Sequence, residues 1–139
     1  MIREFNKKDL GKILEIENEC FSYPWNREIF ESEVESGSEI FVLEEDDVIG
    51  YIDLHFIQDT IDLNNIAIMK SKQKKGYGQE LLTFMFELAK QRKIKKIFLE
   101  VNPNIEAYYL YKKNGFEENR IRKNYYPDGD AIEMVKEIK

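Results

Sequence analysis

Hydrophobic and polar positions along the chain follow two periods, one typical of helices and one typical of strands. Apolar residues recur every three or four positions after Asn6, after Asn26 as far as about residue 36, from about 78 to 92, and from 104 to 114. Runs rich in β-branched and aromatic residues lie between these stretches and predict strands. The predicted strands cover residues 1–5, 39–44, 48–57, 61–69, 97–101, 116–122 and 131–138.

Local signals at the ends of the predicted helices support this division. Asn6 and Asn26 precede the first two helices and can accept hydrogen bonds from their first free N–H groups. Gly37 and Gly115 follow the second and last helices, where a left-handed residue commonly ends a helix. The order β-α-α-β-β-β-α-β-α-β-β combines an antiparallel meander with a late β-α-β unit. It predicts a mixed α/β fold, with a mostly antiparallel central sheet flanked by about four helices.

Length and composition predict one domain covering residues 1–139. Hydrophobic residues make up 42% of the 139 positions, enough for a single core but not for two domains of ordinary size. The chain has no apolar run long enough to span a bilayer and no apolar core of a signal peptide after Met1, so we expect a cytoplasmic protein with no membrane association. Cys20 is the only cysteine and His55 the only histidine, which argues against a disulfide and against a metal centre.

The charge balance limits the kinds of partner. The formal net charge is -6 and the pI is about 5.0, which argues against nucleic acid as a direct ligand. An acidic surface favours a cationic partner such as a basic peptide or an amine. It is equally consistent with acidic residues that only keep the protein soluble.

One segment departs from this acidic background. Between Gln73 and Gly78 the chain reads Gln-Lys-Lys-Gly-Tyr-Gly, after a predicted strand and before a predicted helix. Glycines let the backbone turn tightly and present N–H groups to an anion, with the positive end of the helix behind them. Four lysines give this turn a local positive charge, which favours a polyphosphate ligand. They are Lys70, Lys72, Lys74 and Lys75. Neither the Gly-Lys-Ser/Thr of an ATP loop nor the third glycine of a dinucleotide fold is present.

The Gln-x-x-Gly-x-Gly spacing resembles the pyrophosphate loop of the GCN5-related N-acetyltransferase (GNAT) superfamily. Further segments resemble its RimI-like branch, whose members acetylate the N-terminal alanine of a small-subunit ribosomal protein. These segments are Phe21-Ser-Tyr-Pro-Trp25, Leu99-Glu-Val101, Leu110-Tyr-Lys-Lys-Asn-Gly-Phe116, and Asn124-Tyr-Tyr-Pro127 ahead of Asp130-Ala-Ile132. The resemblance covers nearly the whole chain and implies acetyl-coenzyme A as the cosubstrate, with no metal.

The resemblance also implies roles for particular residues. Carried over, Glu100 is the general base near the acceptor amine and Tyr111 the general acid facing the sulfur of coenzyme A. The stretch between Glu100 and Asn104 is one residue shorter than in the family, although Asn104 keeps its distance of two helical turns to Tyr111. The implied cofactor contacts are Ile66, Ala67, Ile68, Gln73, Lys74, Lys75, Gly76, Tyr77, Gly78, Gln79 and Asn104.

Acetyl transfer to an amine requires a neutral amine, a stabilised oxyanion and a proton for the departing thiolate. Glu100 can take a proton from an α-amine, whose reference pKa is about 7.7 to 8.0, and a phenol such as Tyr111 remains protonated at neutral pH. Tyr108 lies on the same helical face as Tyr111, and only the resemblance selects Tyr111. His55 lacks a recognisable partner, and Cys20 falls in an apolar stripe without a histidine base, so neither is expected to be catalytic.

The resemblance implies an N-terminal protein acetyltransferase whose partner is the N-terminal peptide of a basic ribosomal protein. The candidates for the walls of a peptide groove are Tyr23, Pro24, Trp25, Tyr125 and Tyr126. The candidates for negative potential beside that groove are Glu19, Glu28 and Glu31. Two alternatives stay open: a transferase acting on a small-molecule amine or a lysine side chain, and a coenzyme A-binding module without activity. The sequence leaves open whether the protein is a monomer or a homodimer.

Overall fold

The computed structural model describes residues 1–103, 106–127 and 129–139, with Tyr126 described by its backbone alone. Within these ranges the chain forms seven strands: β1 Ile2–Glu4, β2 Glu39–Glu44, β3 Val48–Ile57, β4 Thr60–Ile68, β5 Lys96–Val101, β6 Glu117–Tyr126 and β7 Gly129–Glu137. In the same ranges it forms four α-helices: α1 Leu10–Cys20, α2 Arg27–Glu35, α3 Tyr77–Gln91 and α4 Glu106–Lys113. The element order and the mixed α/β class predicted from the sequence are confirmed.

The strands form one sheet in the order β1-β2-β3-β4-β5-β7-β6. Every neighbouring pair in it is antiparallel except β4 and β5, which are parallel. The last hairpin is longer than predicted, since pairing continues past a register shift as far as Tyr126 and Gly129. Polar residues extend this ladder, and hydrophobic periodicity does not detect them.

Alternate residues along each strand point to opposite faces of the sheet. Both faces carry apolar side chains, and helices cover each of them. On one face, α3 and α4 pack over a large apolar cluster that includes Ile52, Leu81 and Met85. On the other face, α1 and α2 cover a second cluster that includes Ile13, Phe30 and Tyr51. In the described part of the chain, no helix is long and apolar enough to cross a bilayer.

The helix ends form where the sequence predicts them. Asn6 belongs to a capping box with Asp9, although a short 3-10 turn, Lys7–Asp9, comes before α1 itself. Asn26 Oδ1 accepts a hydrogen bond of 2.9 Å from the N–H of Ile29 and starts α2. Gly37 and Gly115 have φ values of 97° and 92°, the left-handed region expected for a residue that follows a helix.

The parallel pair is incomplete, and this opens the sheet. Residues 60–62 of β4 pair with residues 96–98 of β5, and the two strands, both described over their full length, do not pair beyond Asp62 and Phe98. Both strands nevertheless continue, β4 to Ile68 and β5 to Val101. They therefore diverge towards their C-terminal ends and leave unpaired strand edges facing a gap.

Candidate active site

A cavity of about 770 Å³ fills the gap between the diverging strands. The ends of β4 and β5 form its sides, α4 and the β6–β7 hairpin contribute further residues, and the loop of residues 21–26 after α1 borders it. Four of its described lining residues are acidic and one is basic: Glu17, Asp62, Glu100 and Glu133, with Arg122. The excess of negative charge favours a cationic occupant.

Glu100 reaches the cavity from β5 and lies within a small charged group. Arg122 Nε is 2.9 Å from Glu100 Oε1 without the alignment of a hydrogen bond, so the contact is mainly electrostatic. Glu133 lies directly opposite Glu100 on β7, and Arg122 Nη2 is 3.7 Å from its Oε2. Burial and the Glu100 carboxylate raise the pKa of Tyr125. Arg122 thus offsets the charge of two neighbouring carboxylates at the cavity wall.

Asp62 adds a third carboxylate to this wall. Burial raises its pKa, His55 opposes the rise and Glu133 adds to it. His55 is paired with Asp62 in the β3–β4 register, so the only histidine of the chain does have an acidic neighbour. His55 is not among the described lining residues of the cavity.

Tyr111 reaches the same cavity from α4. Its side chain is buried, and its ring packs edge-on against Phe116 with 5.7 Å between the centroids. The Phe116 N–H donates to the Tyr111 carbonyl at 3.1 Å and fixes the end of the helix. Tyr108 lies outside the described cavity lining, where its hydroxyl donates to Glu118. The fold therefore separates two tyrosines that the sequence places on one helical face.

The predicted phosphate loop leads into the N-terminus of α3. Gly76 is the N-cap with φ 90°, and Lys74 is also left-handed with φ 63°. Alternation of this kind turns successive N–H groups to one side of a loop, as in backbone anion sites. At Gly78 an added Cβ would meet only Leu110 Cδ2, at 3.5 Å, so that glycine is not required by packing.

Two predicted cofactor side chains are occupied by the protein itself. Gln73 Nε2 donates to the Ile68 carbonyl at 2.8 Å and ties the loop to the end of β4. Gln79 and Asn114 exchange reciprocal hydrogen bonds of 2.8 and 2.9 Å, which join the start of α3 to the end of the helix that carries Tyr111. The backbone N–H of Gln73 also donates within the protein, to the Lys70 carbonyl at 3.2 Å, so Gln73 holds the loop in shape rather than offering a free donor. Gln79 lies in the first turn of α3, where backbone N–H groups have no partner within the helix.

The remaining predicted cofactor residues are spread over the loop and β4. Lys74 and Lys75 are exposed, and the Nζ of Lys74 lies 3.8 Å from Glu106 Oε1. Tyr77 is half-buried. Its pKa is raised mainly by burial and further by the nearby Glu45 carboxylate. On β4, Ile66 lines the cavity, whereas the side chains of Ala67 and Ile68 are buried in opposite apolar clusters and leave only their backbone for a ligand. Asn104 lies outside the described residues.

The aromatic groove prediction is met in part. Tyr23, Trp25 and Tyr125 line the cavity, and Pro24 is not among its described lining residues. The side chain of Tyr126 is not described. Glu19 accepts a hydrogen bond of 2.8 Å from the N–H of Lys70, so it lies beside the phosphate loop. Glu28 and Glu31 are exposed on α2 and are absent from the described lining.

Several cavity residues were missed at the sequence level, and Glu17 is the most deeply buried of them. Asn65, Asp62, Arg122 and Glu133 were also missed. For Glu17 a signal existed, since a glutamate four residues after Ile13 falls on the apolar stripe of its helix. Arg122 and Glu133 gave no such signal, because cross-strand pairing alone brings them to Glu100. Among the described residues, no group of three or more His, Cys, Asp or Glu side chains is arranged to hold a metal ion.

Strands that diverge beside a glycine turn and a helix N-terminus form a cleft that can hold a phosphate-bearing ligand. The chain belongs to the acetyltransferase (GNAT) family, whose model matches residues 10–116. It is 31% identical to the ribosomal protein bS18-alanine N-acetyltransferase of Haemophilus influenzae over 128 residues, which cover 91% of this chain and 88% of the relative.

Solved structures agree with this assignment. The crystal structure of the ribosomal-protein-S18-alanine N-acetyltransferase from Escherichia coli matches with a TM-score of 0.92 and 29% identity, covering 100% of this chain and 94% of that one. A GNAT family acetyltransferase from Elizabethkingia anophelis, crystallised with acetyl-CoA bound, matches with a TM-score of 0.79 and 23% identity over 99% of this chain and 97% of that one. The second likeness supports the fold alone.

Proposed function

We propose that this protein transfers an acetyl group from acetyl-CoA to the α-amine of an N-terminal alanine, on ribosomal protein bS18. The observation that carries the proposal is one acidic cavity, between diverging strands, that Glu100 enters from β5 and Tyr111 from α4. The names of the relatives support the acceptor. Because ribosomes and acetyl-CoA meet in the cytoplasm, we assign the protein to that compartment.

The cosubstrate lies with its diphosphate at the start of α3 and its acetyl end in the cavity. Backbone N–H groups at the helix N-terminus bind the phosphates, and exposed lysines add positive charge. The unpaired edge of β4 binds the pantetheine arm and the acetyl carbonyl, whose oxyanion needs N–H donors. The contacts in this proposal are Ile66, Ala67, Ile68, Gln73, Lys74, Lys75, Gly76, Tyr77, Gly78, Gln79 and Asn104.

Glu100 acts as the general base in this proposal. An α-ammonium with a reference pKa of about 7.7 to 8.0 loses its proton easily near neutral pH, so a carboxylate suffices, directly or through a water molecule. The free amine then attacks the thioester carbonyl in a direct ternary complex. Arg122 keeps Glu100 oriented towards the cavity and offsets the charge of Glu133 beside it.

Tyr111 acts as the general acid. Collapse of the tetrahedral intermediate breaks the C–S bond, and the phenol O–H protonates the departing thiolate. The second proton lost by the attacking nitrogen then restores the phenol, so the step balances. The support for Tyr111 over Tyr108 is positional: Tyr111 lines the cavity, whereas Tyr108 is bonded to Glu118 outside the described lining.

Mass spectrometry of an alanine-initiated bS18 peptide, incubated with the protein and acetyl-CoA, tests the proposal. We expect one added acetyl group on the α-amine, and none on the same peptide with a blocked N-terminus. Acetylation of lysine side chains or of a competing polyamine in the same mixture would favour the small-amine alternative. Binding of acetyl-CoA without transfer to any of these amines would favour the module without activity.

A further inference from the structure

Glu17 is a buried carboxylate at the edge of the proposed acceptor cavity. It lies on α1 with 1% of its surface exposed and is one of the lining residues. An ionised carboxylate in such a position is costly unless several donors satisfy it. The groups that donate hydrogen bonds to Glu17 therefore indicate its role.

Three separate elements donate hydrogen bonds to Glu17. The Tyr51 hydroxyl of β3 and Asn65 Nδ2 of β4 donate to its Oε1, the latter at 2.5 Å. The backbone N–H of Trp25, in the loop of residues 21–26, donates to its Oε2 at 2.8 Å. One side chain thus connects two strands of the sheet with the loop that borders the cavity.

The connection continues to the edge of β4. Asn65 uses its amide nitrogen for Glu17, which turns its Oδ1 to the N–H of Ile66 at 3.0 Å. Ile66 lines the cavity and lies on the strand proposed to hold the acetyl group. The orientation of Asn65 is consequently fixed from both sides.

We propose that Glu17 is a positioning residue for the acceptor, fixing the loop of residues 21–26 against β4 so that the peptide meets a preformed cavity wall. This role deepens the proposed function and rests on it. Tyr23 and Trp25 belong to that loop and line the cavity, so releasing the loop changes the acceptor side more than the phosphate side. Glu17 needs no contact with the reacting atoms for this role.

Glu17→Gln is the sharpest test, because it keeps the shape and removes one acceptor. Its amide nitrogen must face either the Trp25 N–H or the Asn65 amide, both of which are donors, so one link is lost in either orientation. Glu15→Gln is the matched control, since Glu15 lies two residues away on the same helix with its side chain 73% exposed. Trp25 is the only tryptophan of the chain, and its fluorescence reports the state of the loop.

Two measurements judge the proposal. In steady-state kinetics, Glu17→Gln should raise KM for the alanine-initiated peptide about tenfold, the loss expected for one hydrogen bond to a charged group, while KM for acetyl-CoA stays within about twofold. Acrylamide quenching of Trp25 should rise, because a released loop exposes the indole to solvent. Glu15→Gln should leave both unchanged. A purely structural role would lower thermal stability and active fraction without separating the two KM values.

An unchanged peptide KM, or unchanged quenching, in Glu17→Gln overturns the positioning role. If that variant does not fold, Tyr51→Phe keeps the carboxylate and removes one donor, and a smaller shift in the same direction is expected. Absence of any shift there also overturns it. Failure of the wild-type protein to acetylate the peptide refutes the proposed function instead, and the quenching comparison still decides whether Glu17 holds the loop.

Discussion

Asp53 gives the sharpest prediction about stability. It lies on β3 with 0% exposure, and its carboxyl meets Glu33 of α2 and Ser38 after that helix. Burial is the main cause that raises its pKa to about 8, and Glu33 adds to the rise. The folded protein therefore holds a proton on Asp53 at pH values where the unfolded chain has released it. Asp53→Asn removes this difference while keeping the size of the side chain.

The magnitude follows from the size of the pKa shift. A rise from the ordinary value near 4 to about 8 corresponds to roughly 6 kcal/mol, at about 1.4 kcal/mol per pH unit. The stability from this group is fully present below about pH 4 and is lost as the pH rises towards about 8. An asparagine has no proton to lose and can donate to Glu33. The advantage of Asp53→Asn over wild type should therefore grow by several kcal/mol across that range.

Urea unfolding at steps between about pH 5 and pH 9 measures this difference as a free energy of unfolding. Asp46→Asn is the control, because Asp46 is exposed in the β2–β3 turn and the substitution is the same. The slope of stability against pH should be shallower in Asp53→Asn and unchanged in Asp46→Asn. Parallel curves for wild type and Asp53→Asn would refute a protonated Asp53 in the folded state.

Three further substitutions test the site and the sheet. Tyr111→Phe should lower kcat by about 100-fold or more and leave the Kd for acetyl-CoA unchanged, and equal kcat values would reject the acid assignment. Gly76→Ala places a side chain at φ 90° and should cost about 1 to 3 kcal/mol and weaken acetyl-CoA binding, which unfolding and calorimetry measure together. Gly50→Ala puts a Cβ 2.8 Å from the Ala67 carbonyl oxygen and should destabilise by about 1 to 3 kcal/mol, so an unaltered Tm would contradict it.

The parts of the fold that the sequence predicted are those set by neighbouring residues. Asn26 caps α2 and Gly115 follows α4 because each acts within a turn of its helix. The order of strands and helices follows from the same local periods. The mixed sheet then follows, since a meander and a late β-α-β unit have few ways to pair.

The parts that were missed depend on contacts between residues distant in the chain. Glu17 and Asn65 are bonded although 48 positions separate them, and no local pattern predicts that pair. Gln73 and Gln79 occur in the expected motif, yet their side chains bond to protein groups rather than facing a ligand. A motif therefore locates the loop, while side-chain roles within it depend on what the fold brings close.

Glu17 and Asp53 lie at the same face of the sheet, the one that α1 and α2 cover. The free-energy cost of burying each carboxyl is offset in a different way. Burial raises the pKa of Glu17, but hydrogen bonds from Tyr51, Trp25 and Asn65 oppose that rise. The Glu33 carboxyl lies beside Asp53 and, like burial, raises its pKa. Asp53 is therefore more stable in its protonated, neutral form. Glu17 lines the cavity, whereas Asp53 is not among its described lining residues. The difference in pH-dependent stability between wild type and Asp53→Asn therefore reports on Asp53, and acceptor affinity reports on Glu17, so the two predictions can fail independently.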